Sequence, residues 1–264
     1  MMILTNIDDL DTPSLTIYRH LRDNASTKDN SFIADGPKVV NMLLQTDIEV
    51  RSLLATEAYY REFEHLIAPK KIPRLYVADK KLMEDIVGHK VHQNVMMHGV
   101  RPATTPLDKL GDTILMLDLI SKTENVGSMA RSAAALGVGS LVLPKNGPHP
   151  YGRRALRVSM GHVSMLDVHL YDDLFTTLET LRADGYRIFA AEAARGATLL
   201  AKVDVPKKWA LLMGNEGEGL SQEVLDACDE TVQIEMAPGI KSFNVGVAAA
   251  ILMYQFKHRE RIPS

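Results

Sequence analysis

One continuous stretch in the second half of the chain limits the fold more than any other feature. "TILMLDLI", residues 113–120, has the length of one strand, and a run so uniformly apolar fits a strand buried on both faces, as parallel sheets require. "NVGSMARSAAAL", residues 125–136, follows it; the segment is rich in small, helix-competent residues, with Asn125 expected as its cap and Gly137 as a C′ glycine at its end. "SLVLP", residues 140–144, reads as the next strand. Strand, helix and strand in this order make a βαβ unit, the kind of crossover that parallel neighbours need.

The same alternation continues on both sides. Further strands are expected at Met165–Leu170, Tyr186–Ala191, Trp209–Met213 and Thr231–Ile234, and helices at Asp173–Ala183, Ser221–Cys228 and Asn244–His258. In the first part, "SFIA" precedes a helical segment at 36–44, "IEVRSLLA" precedes one at 58–67, and "RLYVA" precedes Asp79, an N-cap for 80–87. Residues 1–30 are polar, with little pattern beyond a short helix near Leu15–Arg22. "GVRPATTPLDKLGD" concentrates proline, threonine and glycine between the periodic regions, so a boundary is expected near 101–110, with domains at 1–107 and 108–264. The fold class is α/β with a mainly parallel sheet behind a smaller α/β domain.

Composition excludes several classes. With 264 residues, 46% hydrophobic and 24% charged, the chain can bury a core and is neither disordered nor fibrous. No apolar run approaches the roughly 18 residues that span a bilayer, and the acidic start "MMILTNIDDLDTP" is unlike a signal peptide, so a cytosolic protein with no membrane partner is expected. The single cysteine, Cys228, supports neither an internal disulfide nor a cysteine-based zinc site. Split at residue 110, the parts carry 14 basic and 15 acidic residues, then 16 and 18, so neither is a basic arm. The densest basic cluster is Arg153, Arg154 and Arg157, near Lys145, His149 and His162; it reads either as a solvated helix face or as a phosphate contact.

Three loops carry candidate chemistry. Gly137 and Gly139 follow a helix and precede a strand, the reverse of a dinucleotide fingerprint, and P-loop, HExxH and GxSxG patterns are absent. "GNEGEGL", 214–220, places three glycines between a buried strand and a helix, where main chain must approach something closely, with Glu216 beside it. "EMAPGIKSFN" leads to the long helix and sets Ser242 and Asn244 at its N-terminus, where unsatisfied amides favour anions or a simple cap. Asn125, Gly127 and Arg131 form NxGxxxR at the first crossover helix; a salt bridge is the plain reading of Arg131.

Taken together, NxGxxxR, GNEGEGL and "APGIKSFNVGVAAAI" resemble, in order and spacing, motifs one, two and three of the SpoU/TrmH family in the SPOUT class of S-adenosylmethionine-dependent RNA methyltransferases, over roughly residues 113–257. "SFIADGPKVVNMLL" and "NVMMHGV" resemble the ribosomal-protein-L30-like substrate-binding domain that many members carry. The chain departs from the family pattern at "SKTEN", where an Asp-Pro step commonly precedes the asparagine, at Phe243 for leucine and at Gly246 for serine. Lys241, beside Ser242, reads as a phosphate contact or a solvated lysine.

The resemblance implies a trefoil-knotted catalytic domain, a homodimer, and methyl transfer from S-adenosylmethionine to a ribose 2′-hydroxyl of structured RNA, 23S-type ribosomal RNA before transfer RNA, without a metal. By motif position it implies cofactor contacts from Gly214, Ile234 and Phe243 with main chain of Met213 and Met236. Arg131, Glu216, Ser242 and Asn244 fall on catalytic and substrate-handling positions, and Asn125 at the mouth of the same site. The competing readings are a transfer-RNA methyltransferase, an RNA-binding protein that kept the fold without turnover, and a small-molecule α/β enzyme.

Overall fold

The computed structural model describes residues 2–7, 13–19, 29–87 and 94–258. The chain folds as two compact units, Met1–Ala103 with Pro150–Ser164, and Thr104–His149 with Met165–Ser264. Two stretches fall on the other side of the division expected at 107/108. Residues 104–107 join the second unit because the Thr105 amide donates to the Val168 carbonyl at 2.8 Å and the His169 ring bonds the Thr105 carbonyl at 2.9 Å. Residues 150–164 join the first unit, where Tyr151 meets Phe32, ring centroids 5.5 Å apart, and Arg153 reaches Asp35 at 2.9 Å.

The first unit is a mixed five-stranded sheet. In chain order its elements are β1 (Leu4–Asn6), α1 (Thr16–Arg19), β2 (Ser31–Asp35), α2 (Pro37–Leu44), β3 (Val50–Ala55), α3 (Glu57–Glu62), α4 (Glu64–Ile67), β4 (Arg74–Val77), α5 (Lys80–Val87) and β5 (Val95–Val100). The strands lie in the order β1-β4-β3-β5-β2, with β1, β4 and β3 parallel and β5 antiparallel to both of its neighbours. Local chemistry starts the helices: Pro37 opens α2, Thr56 accepts from the Tyr59 amide, and Asp79 accepts from the Leu82 amide at 2.7 Å. One face buries Tyr18, Ile33, Leu54, Tyr76 and Met96 in a common core. The helix expected near Leu15–Arg22 is observed at Thr16–Arg19, and residues 20–22 lie outside those described. Strands β1 and β5 were not expected, since β1 is three exposed residues and β5 breaks its apolar run at His98 and Gly99.

The second unit supplies β6 (Thr113–Leu117), α6 (Thr123–Leu136), β7 (Ser140–Pro144), β8 (Asp167–Tyr171), α8 (Leu174–Ala183), β9 (Arg187–Ala191), β10 (Thr198–Leu199), β11 (Trp209–Met213), α9 (Gln222–Asp226), β12 (Glu230–Gln233) and α10 (Val245–His258). Helix α7 (Arg153–Ser159) lies between β7 and β8 in the chain but packs on β2 of the first unit. The seven strands run in the order β10-β12-β9-β11-β6-β7-β8, and every pairing is parallel, as the apolar runs require. Strand β8 begins two residues later than expected because His162–Met165 is a short 3-10 turn.

Helix α10 closes the second unit. Phe256 sits edge-on to Phe189 and Trp209, at centroid distances of 5.0 and 5.2 Å, and Ala249, Leu252 and Met253 are buried along the same side. Its first turn meets α6 closely: a side chain at Gly246 would press on the Ser128 hydroxyl at 3.1 Å and the Asn244 carbonyl oxygen at 3.2 Å. Glycine here permits that approach.

Candidate functional site

Strands β9, β11 and β6 end in register, Ala191 beside Met213 and Met213 beside Leu117. The crevice past strand C-termini is where open α/β sheets bind ligands. Three segments meet there: the loop 214–220 after β11, the loop 234–244 before α10, and the start of α6 after β6.

Glu216 joins the first segment to the third. One carboxylate oxygen accepts from the Ser121 amide (3.0 Å) and hydroxyl (2.9 Å), the other from the Lys122 amide (3.2 Å) and the Asn125 side-chain amide (2.7 Å). Partial burial pushes this carboxyl up, but those hydrogen bonds outweigh it and hold the pKa at about 2. Glu216 is therefore an anion whose acceptor positions are taken, a poor proton acceptor and a good clamp.

That clamp corrects the expected role of Asn125. Helix α6 begins at Thr123, after Lys122, and no side chain of its own caps it; Glu216 satisfies amides there from another loop. Asn125 lies inside the first turn and relays the contact, since its side-chain oxygen faces the Asn244 amide at 3.4 Å. Asn244 in turn caps α10, accepting from the Gly246 amide at 2.9 Å and the Val247 amide at 3.3 Å. Glu216, Asn125 and Asn244 thus form one chain of hydrogen bonds through all three segments. Gly137 ends α6 as expected, in the left-handed conformation at φ 69°.

The glycine loop is crowded by protein. A side chain at Gly214 would lie 2.7 Å from Gly219 and Leu220, and one at Gly219, where φ is +71°, would run into the Glu192 carboxylate. Asn215 closes the loop, its side-chain oxygen accepting from the Gly217 and Glu218 amides at 2.8 and 3.2 Å. The main-chain approach that these glycines demanded is, in part, the loop folding on itself.

A cavity of about 400 Å³ opens between these loops, within the range of roughly 300–1,000 Å³ of small-molecule sites. Gly214, Ile234, Phe243, Met213 and Met236 all line it, as do Glu216 and Ser242. Ser242 and Phe243 are exposed at its edge, Phe243 at 41%. Asn125, buried, and Asn244, exposed, are not part of the lining. Arg131 is exposed on α6, outside the lining, and among the described residues it makes no ion pair or hydrogen bond, so the salt bridge is not formed. Sequence reasoning missed Glu192, just past β9, and its only signal was that position at a strand C-terminus.

Residues 112–254 match the model of the SpoU rRNA Methylase family. The chain belongs to that family. An uncharacterized tRNA/rRNA methyltransferase of Mycobacterium tuberculosis is 30% identical over 95% of this chain and 90% of its own length. Among solved structures, the AdoMet-bound rRNA methyltransferase from Sinorhizobium meliloti has the same fold, with a TM-score of 0.83 at 23% identity over 98% of this chain and 99% of that one. The SpoU methyltransferase AviRb from Streptomyces viridochromogenes, in complex with AdoMet, gives 0.79 at 23% identity over 94% and 98%. This SpoU-family chain is an RNA methyltransferase of the SpoU/TrmH type, a family whose methyl donor is S-adenosylmethionine.

Proposed function

We propose that this chain methylates a ribose 2′-hydroxyl of structured RNA, with ribosomal RNA as the substrate ahead of transfer RNA. The observation that carries the reading is the hydrogen-bonded chain Glu216–Asn125–Asn244, which holds all three motif segments around one cavity of suitable size. The cavity suits S-adenosylmethionine: Met213, Ile234, Met236 and Phe243 offer an apolar wall for an adenine ring, and the closed glycine loop offers main chain at the edge. When bound, the cofactor supplies an electrophilic methyl group.

The chain's own residues then have distinct tasks. A 2′-hydroxyl is a weak nucleophile, so the site must position it and stabilise the charge that develops on its oxygen. Arg131 has an exposed guanidinium with no protein partner among the described residues, and a guanidinium stays protonated. We assign it to the ribose-phosphate and the developing alkoxide. Glu216 and Asn125 hold the loops, Asn244 sets the start of α10, and Ser242, an exposed residue, lines the same cavity.

Several further features belong to the proposal. Helix α10 is apolar on two sides: besides its buried face, Val247, Ala250, Ile251 and Tyr254 recur at i, i+3, i+4 and i+7, with Val247 48% and Tyr254 56% exposed. That second stripe supports a homodimer built on the catalytic unit. The return of the chain from β12, beyond β9, to pack α10 on α6 and β11 supports a trefoil crossing there. The first unit is assigned to RNA docking, as an L30-like domain. No helix among the described residues is long and apolar enough to cross a membrane, and a cytoplasmic setting is proposed.

Methyl transfer from labelled S-adenosylmethionine to purified ribosomal or transfer RNA, followed by mapping of the modified nucleotide, tests the reading. A label on a ribose 2′-oxygen is expected. Label on a base, or none on either RNA with the protein folded and cofactor bound, overturns it.

A further inference from the structure

Four charged side chains line the cavity: Glu192, Glu216, Glu218 and Lys241. They are not equivalent. Glu218 and Lys241 are exposed at the edge, where water and salt screen them, and Glu216 has its oxygens occupied by four donors. Glu192 is half-buried and keeps capacity in reserve. One of its oxygens accepts from the Leu220 amide at 2.9 Å and the other from the Ala193 amide at 3.2 Å, while a carboxylate offers about four acceptor positions. Its own amide donates to the Val232 carbonyl at 3.1 Å, which fixes the residue against β12.

An anion so placed acts on whatever occupies the cavity. On the reading above, the occupant before reaction carries a sulfonium cation, and the occupant after reaction is the corresponding neutral thioether. We propose that Glu192 makes the cavity prefer the cationic methyl donor over its demethylated product. The carboxylate attracts the sulfonium through a partly desolvated medium, where the interaction is stronger than in bulk water. Once the methyl has left, that attraction is gone and the product is held only by the contacts both ligands share. Glu192 is thus a specificity-determining residue that favours exchange of spent cofactor for fresh.

The role is separable from a structural one. Glutamine at 192 keeps an oxygen for the Leu220 amide and removes the charge, whereas alanine removes both. Calorimetry on the full chain would measure S-adenosylmethionine and S-adenosylhomocysteine binding to wild type, Glu192→Gln and Glu192→Ala. For Glu192→Gln the expected result is a five- to tenfold loss of affinity for the cationic donor, about 1 kcal/mol, with product affinity within about twofold of wild type. The wild-type preference should shrink as salt is raised. Equal losses for both ligands, or no change for either, would overturn the assignment while leaving the methyltransferase reading intact. Failure of the folded wild-type protein to bind either ligand would instead overturn that reading, and this inference with it.

Discussion

Arg131 in the second unit and Arg153 in the first are both helix-borne arginines, yet the fold treats them oppositely. Arg153 donates to the buried carboxylate of Asp35, 118 residues away in the chain, with Arg157 a further 3.8 Å contact to the same group. Arg131 stands exposed with no protein partner among the described residues. From sequence alone a salt bridge is the plain reading of Arg131, although the family resemblance sets it among the catalytic positions, and the cluster around Arg153 reads as a solvated face or a phosphate contact. The difference shows what decides an arginine's role: whether the fold brings a carboxylate to it. The Arg153 charge holds elements of the first unit together, whereas the Arg131 guanidinium is left without a protein partner among the described residues.

The largest effect expected from this contrast is catalytic. Arg131→Ala should lower turnover about 100- to 1,000-fold, the usual cost of losing one group that stabilises developing charge. Cofactor affinity and unfolding should stay near wild type. Arg131→Lys should rescue little, because lysine lacks the planar fork of donors. Full turnover in Arg131→Ala would show that the exposed arginine is only solvated and would erase the contrast.

Arg153→Ala should act on stability instead. It leaves the buried Asp35 carboxylate with the weaker 3.8 Å contact to Arg157, and removing one member of a buried pair costs about 3–5 kcal/mol; that remaining contact and the partial exposure of Arg153, at 22%, put the expectation near the lower end. Faster hydrogen exchange of the β2 amides, with cofactor binding unchanged, is the expected signature. The double change Asp35→Asn with Arg153→Met should recover much of the loss.

The legibility of the two units differed for related reasons. In the second, Thr113–Leu117, Ser140–Pro144 and Trp209–Met213 are apolar runs ended by a turn signal and could be read directly, with the motif residues around the cavity, whereas the two-residue β10 carries no such pattern and was not expected. What escaped were interactions between segments distant in sequence. Nothing near Asn125 says that Glu216, 91 residues on, will cap its helix, and nothing near Glu192 says that Gly219 must lack a side chain to make room for it. In the first unit the antiparallel β5 carries His98 and Gly99, and its pairing with β2 and β3 is a long-range fact that no local pattern encodes.

A smaller effect sharpens the role of Glu216. Its pKa of about 2 lies below the ordinary 4.5, so the stabilisation from its hydrogen bonds is fully present above about pH 4.5 and is lost as pH falls from there toward 2. Glu216→Gln exchanges an acceptor for a donor facing the Ser121 and Lys122 region, and should cost about 1–2 kcal/mol near neutral pH. Because the variant has no carboxyl to protonate there, the gap between it and wild type should close on acidification. A gap that stays constant between pH 5 and pH 2 would mean that the clamp does not depend on the ionised carboxylate.

The smallest expected effect lies in the core of the first unit, at Tyr60. Its hydroxyl is buried and donates to the Leu53 carbonyl at 3.1 Å and the Tyr76 carbonyl at 3.0 Å, so one proton is shared between strands β3 and β4. Burial, followed by the neighbouring Tyr18 and Tyr59, pushes its ionisation well above the usual phenol range. Tyr60→Phe keeps the ring and its packing and removes only that shared bond, so about 1 kcal/mol of stability should be lost. Two carbonyls lose a partner, but an under-bonded carbonyl is tolerated better than an orphaned amide, which keeps the figure low. The raised ionisation adds an alkaline signature. Stability that depends on the neutral phenol is present below the unfolded value near 10 and falls as pH rises above it, so wild type should lose its advantage over Tyr60→Phe in strong alkali. Cofactor affinity should not change, since the Tyr60 hydroxyl joins α3 to strands β3 and β4 within the first unit. If it did change, polar groups of the first unit would be acting on the site, and the division of labour between the two arginines would not extend to the units that carry them.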